Sequence, residues 1–248
     1  MRDSRIKMPY QIALFNLGFR PFFLGAAVYS IITIGIWMGV YAFGWNIKVG
    51  VTGISYWHAH EMIYGYSLAV IAGFLLTAVN NWTQIQTICG SRLAVLFFFW
   101  VAARLVYIFS PEHFSMAAFF DISFILYLNV AIWVPVVRTR NWRQMGILSK
   151  LLLLSLANLI FYLGCVGIIE RGIYWGIYGG FYLVLSLILM MGGRVIPFFM
   201  ERGVGYPVKL YNPTWISVVG LILFLMFVVS ELFLENKSLT LLRYIFLL

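Results

Sequence analysis

The stretch His58-Ala-His-Glu-Met-Ile-Tyr-Gly-Tyr-Ser-Leu-Ala-Val-Ile-Ala-Gly-Phe-Leu-Leu-Thr-Ala-Val-Asn80 decides the fold. Beyond Glu61 it carries no charge, and about 20 such residues in a helix cross a hydrocarbon core of roughly 30 Å. Working outward, equally long apolar runs recur near Phe22 to Gly44, Leu93 to Phe109, Ser115 to Val137, Leu151 to Ile169, Ile173 to Gly193 and Trp215 to Leu234, which makes seven spans. An eighth begins at Leu239 and has ten residues before Leu248, too few to cross. The expected fold is an all-α, polytopic transmembrane helix bundle of about seven spans plus the start of an eighth, forming a single transmembrane helical domain over residues 1–248. The first apolar run exceeds the roughly 7–15 residues of a signal-peptide core, so it reads as an uncleaved anchor.

Composition excludes a water-soluble domain. The 248 residues are 63% hydrophobic and only 10% charged, against about 25% charged for soluble chains. Aromatic residues reach 19% and the mean hydropathy is +0.95, so the lipid bilayer is the surrounding solvent. The net charge of +9 does not indicate nucleic acid, because the basic residues lie between apolar runs and not along one face. They set topology instead. One set of connections holds Arg2, Arg5, Lys7, Arg20, Arg92, Arg138, Arg140, Arg143, Lys150, Arg194, Arg202 and Lys209, and the alternate set only Lys48, Arg171 and Lys237. Basic loops stay cytoplasmic, so a cytoplasmic N-terminus is expected. Cys89 and Cys165 lie in or beside apolar segments and indicate no disulfide framework.

That topology places all three histidines on the outer side. His58, His60 and Glu61 open the second span, and Pro111-Glu112-His113 forms the turn between the third and fourth. Ionisable groups at membrane depth mark functional sites by default, and imidazole suits haem iron, copper and zinc. Their alternative use is an interfacial hydrogen-bonding cluster. Residues two apart on a helix point about 200° apart, so His58 and His60 cannot chelate one ion if both are helical. On an ideal helix His58 shares a face with Glu61, Gly65, Ala69 and Gly73, whereas His60 shares one with Tyr64. The small residues on the His58 face admit either a neighbouring helix or the edge of a macrocycle.

Arg104 lies six residues before Ser110, and Asp121 six after Ser115. Both therefore sit about 9 Å below the same membrane face, at matched depth on antiparallel neighbours, where an ion pair would spare each charge the cost of lipid. Arg104 could alternatively neutralise a haem propionate. Gly18-Phe-Arg-Pro-Phe-Phe23, Asn80-Asn-Trp-Thr83 and Gly192-Gly-Arg-Val-Ile-Pro-Phe-Phe199 belong to the cytoplasmic face, where glycine followed by proline reads as a helix stop.

Leu17-Gly-Phe-Arg-Pro-Phe-Phe23, Trp57-His-Ala-His-Glu-Met62, Val70-Ile-Ala-Gly-Phe-Leu-Leu-Thr-Ala-Val79 and Gly193-Arg-Val-Ile-Pro-Phe-Phe199, in that order, resemble the NnrS family over residues 17–199. The resemblance implies a multi-pass protein of the bacterial inner (cytoplasmic) membrane, associated with haem and copper and tied to the response to nitric oxide. It implies metal association at His58, His60 and Glu61, and gives Arg20, Asn81, Trp82 and Arg194 as motif positions without a role; Arg104, read from its depth, is the further cofactor-binding candidate. Two departures stand out. Members of the family usually carry about twelve helices, so this chain resembles a C-terminally short version. Val79-Asn-Asn-Trp-Thr-Gln84 lacks the proline and glycine that usually flank the Asn-Trp pair. The resemblance leaves open whether the chain is an enzyme. An inner-membrane transporter of small molecules or ions, or an inactive remnant, are the alternatives, while a haem-copper oxidase type of nitric oxide reductase needs about six histidine ligands against the three present.

Overall fold

A computed structural model of the chain describes residues 13–47, 52–206, 208–211 and 213–233. They form helices α1 (Phe19–Phe43), α2 (Ile54–Thr83), α3 (Ser91–Phe109), α4 (Phe114–Arg138), α5 (Met145–Cys165), α6 (Gly172–Gly203) and α7 (Thr214–Phe233), with no strand among the described residues. The first six are long and apolar enough to cross a membrane. The seventh expected span corresponds to α7, whose qualifying apolar stretch, Val218–Glu231, is shorter. The eighth, expected from Leu239, lies outside the described residues.

The chain divides into two compact units, Met1–Ile177 and Tyr178–Leu248. In the first unit α4 packs against α2, α3 and α5, and α1 packs along α2. The faces between these helices bury Phe22, Trp57, Tyr64, Leu68, Leu75, Leu96, Phe124 and Leu128. Ile31, Phe98, Phe109 and Phe119 point outward, as side chains solvated by lipid tails do. In the second unit Tyr182 meets Phe224 and Phe227 edge to ring, and Arg202 lies over the Phe198 ring at 4.4 Å.

Local chemistry fixes the helix ends. Pro21 falls in the first turn of α1, where its missing N–H has no intrahelical partner to lose. Gly44 ends α1 at φ 66°, in the left-handed region that glycine enters without strain. Gln84 closes α2 at φ 56°, its N–H returning to the Asn80 carbonyl. The Gly192-Gly193 pair and Pro197 do not stop α6, which continues to Gly203. Proline removes one hydrogen bond and glycine weakens a helix by roughly 1 kcal/mol, but in a hydrocarbon environment the alternative is unpaired backbone, which costs more.

The second span departs from a regular helix. Ile54–His60 is α-helical, Glu61–Ser67 forms a wider π turn, and Leu68–Thr83 resumes the α-helix. A π turn hydrogen-bonds one residue further along the chain and so re-aims every side chain before it relative to those after it. Side chains secure it. Ser67 Oγ donates to the Met62 carbonyl at 2.7 Å, and the Trp100 indole N–H of α3 donates to the Gly65 carbonyl at 3.0 Å.

Candidate functional site: a buried ring of charged side chains

The π turn directs Glu61 into the centre of the first unit, together with His60 before it. His60 Nδ1 lies 2.9 Å from Glu61 Oε1, and His60 Nε2 lies 3.0 Å from Asn158 Oδ1 of α5. Asn158 Nδ2 donates to Asp121 Oδ2 of α4 at 2.8 Å. Arg104 of α3 pairs through Nη2 with Asp121 Oδ1, and its Nε lies 3.1 Å from Glu61 Oε2. Glu61, His60, Asn158, Asp121 and Arg104 thus close a ring drawn from four helices. Two tyrosines complete it. Tyr29 of α1 donates to Glu61 Oε2 at 2.5 Å, and Tyr162 of α5 donates to Asp121 Oδ2 at 3.0 Å.

The ring is sealed. Glu61, Asp121 and Asn158 are 0% exposed and His60 is 1% exposed, so bulk water and lipid do not reach them. Phe161 stacks on the His60 imidazole at 4.4 Å, and Tyr64, Tyr107 and Tyr162 surround it. Tyr64 in turn donates to the Gly176 carbonyl at 2.6 Å. Isolated charges in such a place cost several kcal/mol each, and only mutual pairing with further hydrogen bonds makes them tolerable. Gly65 supplies the floor: a Cβ there would come within 2.7 Å of Glu61 Oε2, 2.8 Å of Arg104 Nη1 and 2.9 Å of Tyr29 Cε1.

The Arg104–Asp121 pair expected from matched depth is present, with Glu61 Oε2 3.1 Å from Nε of the same guanidinium, while Nη1 has no hydrogen-bond partner. The helical-wheel grouping of His58 with Glu61 is not what forms. His58 is half-buried, its ring stacked on Trp37 of α1 at 4.3 Å, and among the described residues it shares no hydrogen bond with Glu61. The small-residue face is not open to a flat ligand either. Tyr29, Glu61 and Arg104 cover Gly65, and a Cβ on Gly73 would meet Phe23 at 2.8 Å and Phe22 at 3.1 Å, so α1 packs where a macrocycle edge was the other option. His113 is exposed beside Glu112, outside the ring.

Sequence reasoning did not find Tyr29, Asn158 or Tyr162. Asn158 had a usable signal, being an amide in the middle of an apolar helix, where polar groups bridge to neighbouring helices. Tyr29 and Tyr162 had none, because tyrosine is frequent throughout this chain.

A family model described as NnrS protein matches residues 13–248. The chain belongs to the NnrS family. No curated protein and no solved structure gave a match. Among the motif positions of this NnrS-family chain, Arg20 donates through Nη1 to the Ala13 carbonyl at 2.8 Å, tying the start of α1 to the segment before it. The Trp82 carbonyl accepts from Asn141 Nδ2 at 3.2 Å, so the Asn-Trp motif joins the end of α2 to the α4–α5 connection.

Haem and copper, which the family resemblance implies, find no ligand set here. Among the described residues no group of three or more His, Cys, Asp or Glu side chains is placed to hold a metal ion. Both His60 nitrogens and both carboxylates of the ring already have partners inside it. His58 Nδ1 has no hydrogen-bond partner, but the ring is a lone imidazole lying flat against Trp37. Among the described residues no cluster of side chains fits a copper ion.

Proposed function

We propose that this chain serves the response to nitric oxide in the bacterial inner membrane, with the buried ring as the element that holds its helices in working register. The observation that carries the reading is the family match over residues 13–248. The geometry supports a positioning role for the ring: five helices contribute, every charge has a counter-charge within it, and both carboxylates are fully buried. No catalytic step is assigned to it, and none is routed through haem or copper. A transporter would need these charges to be released to a moving solute, and each is already used by its neighbours.

The test is growth under nitric oxide. A strain lacking the chain is expected to recover more slowly than its parent from a nitric oxide donor, with a plasmid copy restoring recovery. Indistinguishable recovery of the deleted strain and its parent would overturn the reading.

A further inference from the structure

The ring fixes where its protons are. Asp121 accepts from three donors, the Arg104 guanidinium, Asn158 Nδ2 and the Tyr162 hydroxyl, which is the surrounding of an ionised carboxylate. Because the Asn158 amide nitrogen is committed to Asp121, the Asn158 oxygen faces His60 Nε2 at 3.0 Å. An amide oxygen only accepts, so Nε2 must carry a hydrogen.

The other side of the imidazole follows the same logic. Glu61 Oε2 accepts the Tyr29 hydroxyl and lies 3.1 Å from Arg104 Nε, and that donor and that positive charge both favour the ionised form. Its Oε1 then accepts from His60 Nδ1 at 2.9 Å. Both nitrogens donate. The groups facing His60 from every packed element agree: Tyr29 of α1 lies behind Glu61, Tyr64 is on α2, Arg104 and Tyr107 are on α3, Asp121 is on α4 at 3.7 Å from Nε2, and Tyr162 is on α5. Among them Arg104 is the only other cation, and it stands against both carboxylates.

We propose that His60 is held as a doubly protonated imidazolium, with Asn158 as the residue that positions it, so that the ring contains two cations and two anions with no net charge. His60 is then a structural cation and not a metal ligand, since a nitrogen that carries hydrogen has no lone pair to give. This assignment stands independently of the nitric oxide reading, because it rests only on which atoms donate and which accept. It also gives the ring a rule: changes that keep its net charge at zero are tolerated better than changes that do not.

The chain has three histidines, so His60 can be observed alone. His58→Gln combined with His113→Gln, both outside the ring, leaves it as the single imidazole in full-length protein. With nitrogen-15 histidine in lipid nanodiscs at neutral pH, both ring nitrogens are expected to show a directly bonded proton. One protonated and one bare nitrogen would overturn the proposal. Copper(II) added to the same sample is expected to leave both signals in place. Loss of those signals, or copper bound one per chain and abolished by a further His60→Gln change in protein of unchanged helicity, would overturn it too.

Discussion

The substitution Asp121→Asn would remove the negative charge and replace one of the two oxygens that accept three hydrogen bonds by an N–H donor, leaving the ring with an uncompensated positive charge at a position 0% exposed. Breaking a buried ion pair from one side costs about 3–5 kcal/mol. We predict a loss in that range for this variant, and a similar loss for Arg104→Met, which leaves two carboxylates facing one imidazolium. The double variant returns the ring to zero net charge, with His60 against Glu61. Its loss should be smaller than that of the worse single variant, which makes the coupling between the two sites at least as large as the milder single loss, about 3 kcal/mol or more. The assay is reversible unfolding in mixed micelles, followed by helix signal, for the wild type, both singles and the double. Single losses that simply add would refute the pairing and the charge rule together.

Gly65→Ala places a Cβ within 2.9 Å of Glu61, Arg104 and Tyr29, and should cost about 1–3 kcal/mol in the same unfolding assay; an unchanged midpoint would mean that the ring does not rest on that glycine. Trp100→Phe removes the indole donor to the Gly65 carbonyl, which keeps the Leu68 N–H, and should lower stability by about 0.5–1.5 kcal/mol, measured as a lower unfolding midpoint, with the Gly65–Ser67 amides exchanging faster. A cysteine introduced at the exposed position 113 should be labelled by an impermeant thiol reagent in intact spheroplasts, as the distribution of basic residues requires; labelling only after the membrane is opened would reverse the topology.

The spans were legible because lipid imposes one requirement on every residue of a crossing, and a charge-free run of the right length satisfies it. The Arg104–Asp121 pair was legible for the same reason: two opposite charges at one depth have few ways to avoid hydrocarbon. What the wheel missed was Glu61. An ideal helix joins it to His58, and the π turn at Glu61–Ser67 joins it to His60 instead. That turn is secured by Ser67 within it and by Trp100 on another helix, and the contact from Trp100 exists only after folding. Tyr29 and Tyr162 were hidden likewise, since their partners are 32 and 41 residues away in sequence. The reading of Gly192-Gly193 and Pro197 as a stop failed because local preference is weak, glycine costing a helix roughly 1 kcal/mol and proline one hydrogen bond, and the helix runs on to Gly203.

The central claim, that two ionised carboxylates are enclosed and balanced within the bundle, is tested most directly by infrared spectroscopy of the protein in bilayers at neutral pH. Glu61 and Asp121 are predicted to contribute only ionised-carboxylate bands, so that Glu61→Gln and Asp121→Asn each remove intensity there and none from the protonated-carboxyl region. A protonated-carboxyl band in the wild type that disappears in either variant would contradict the account.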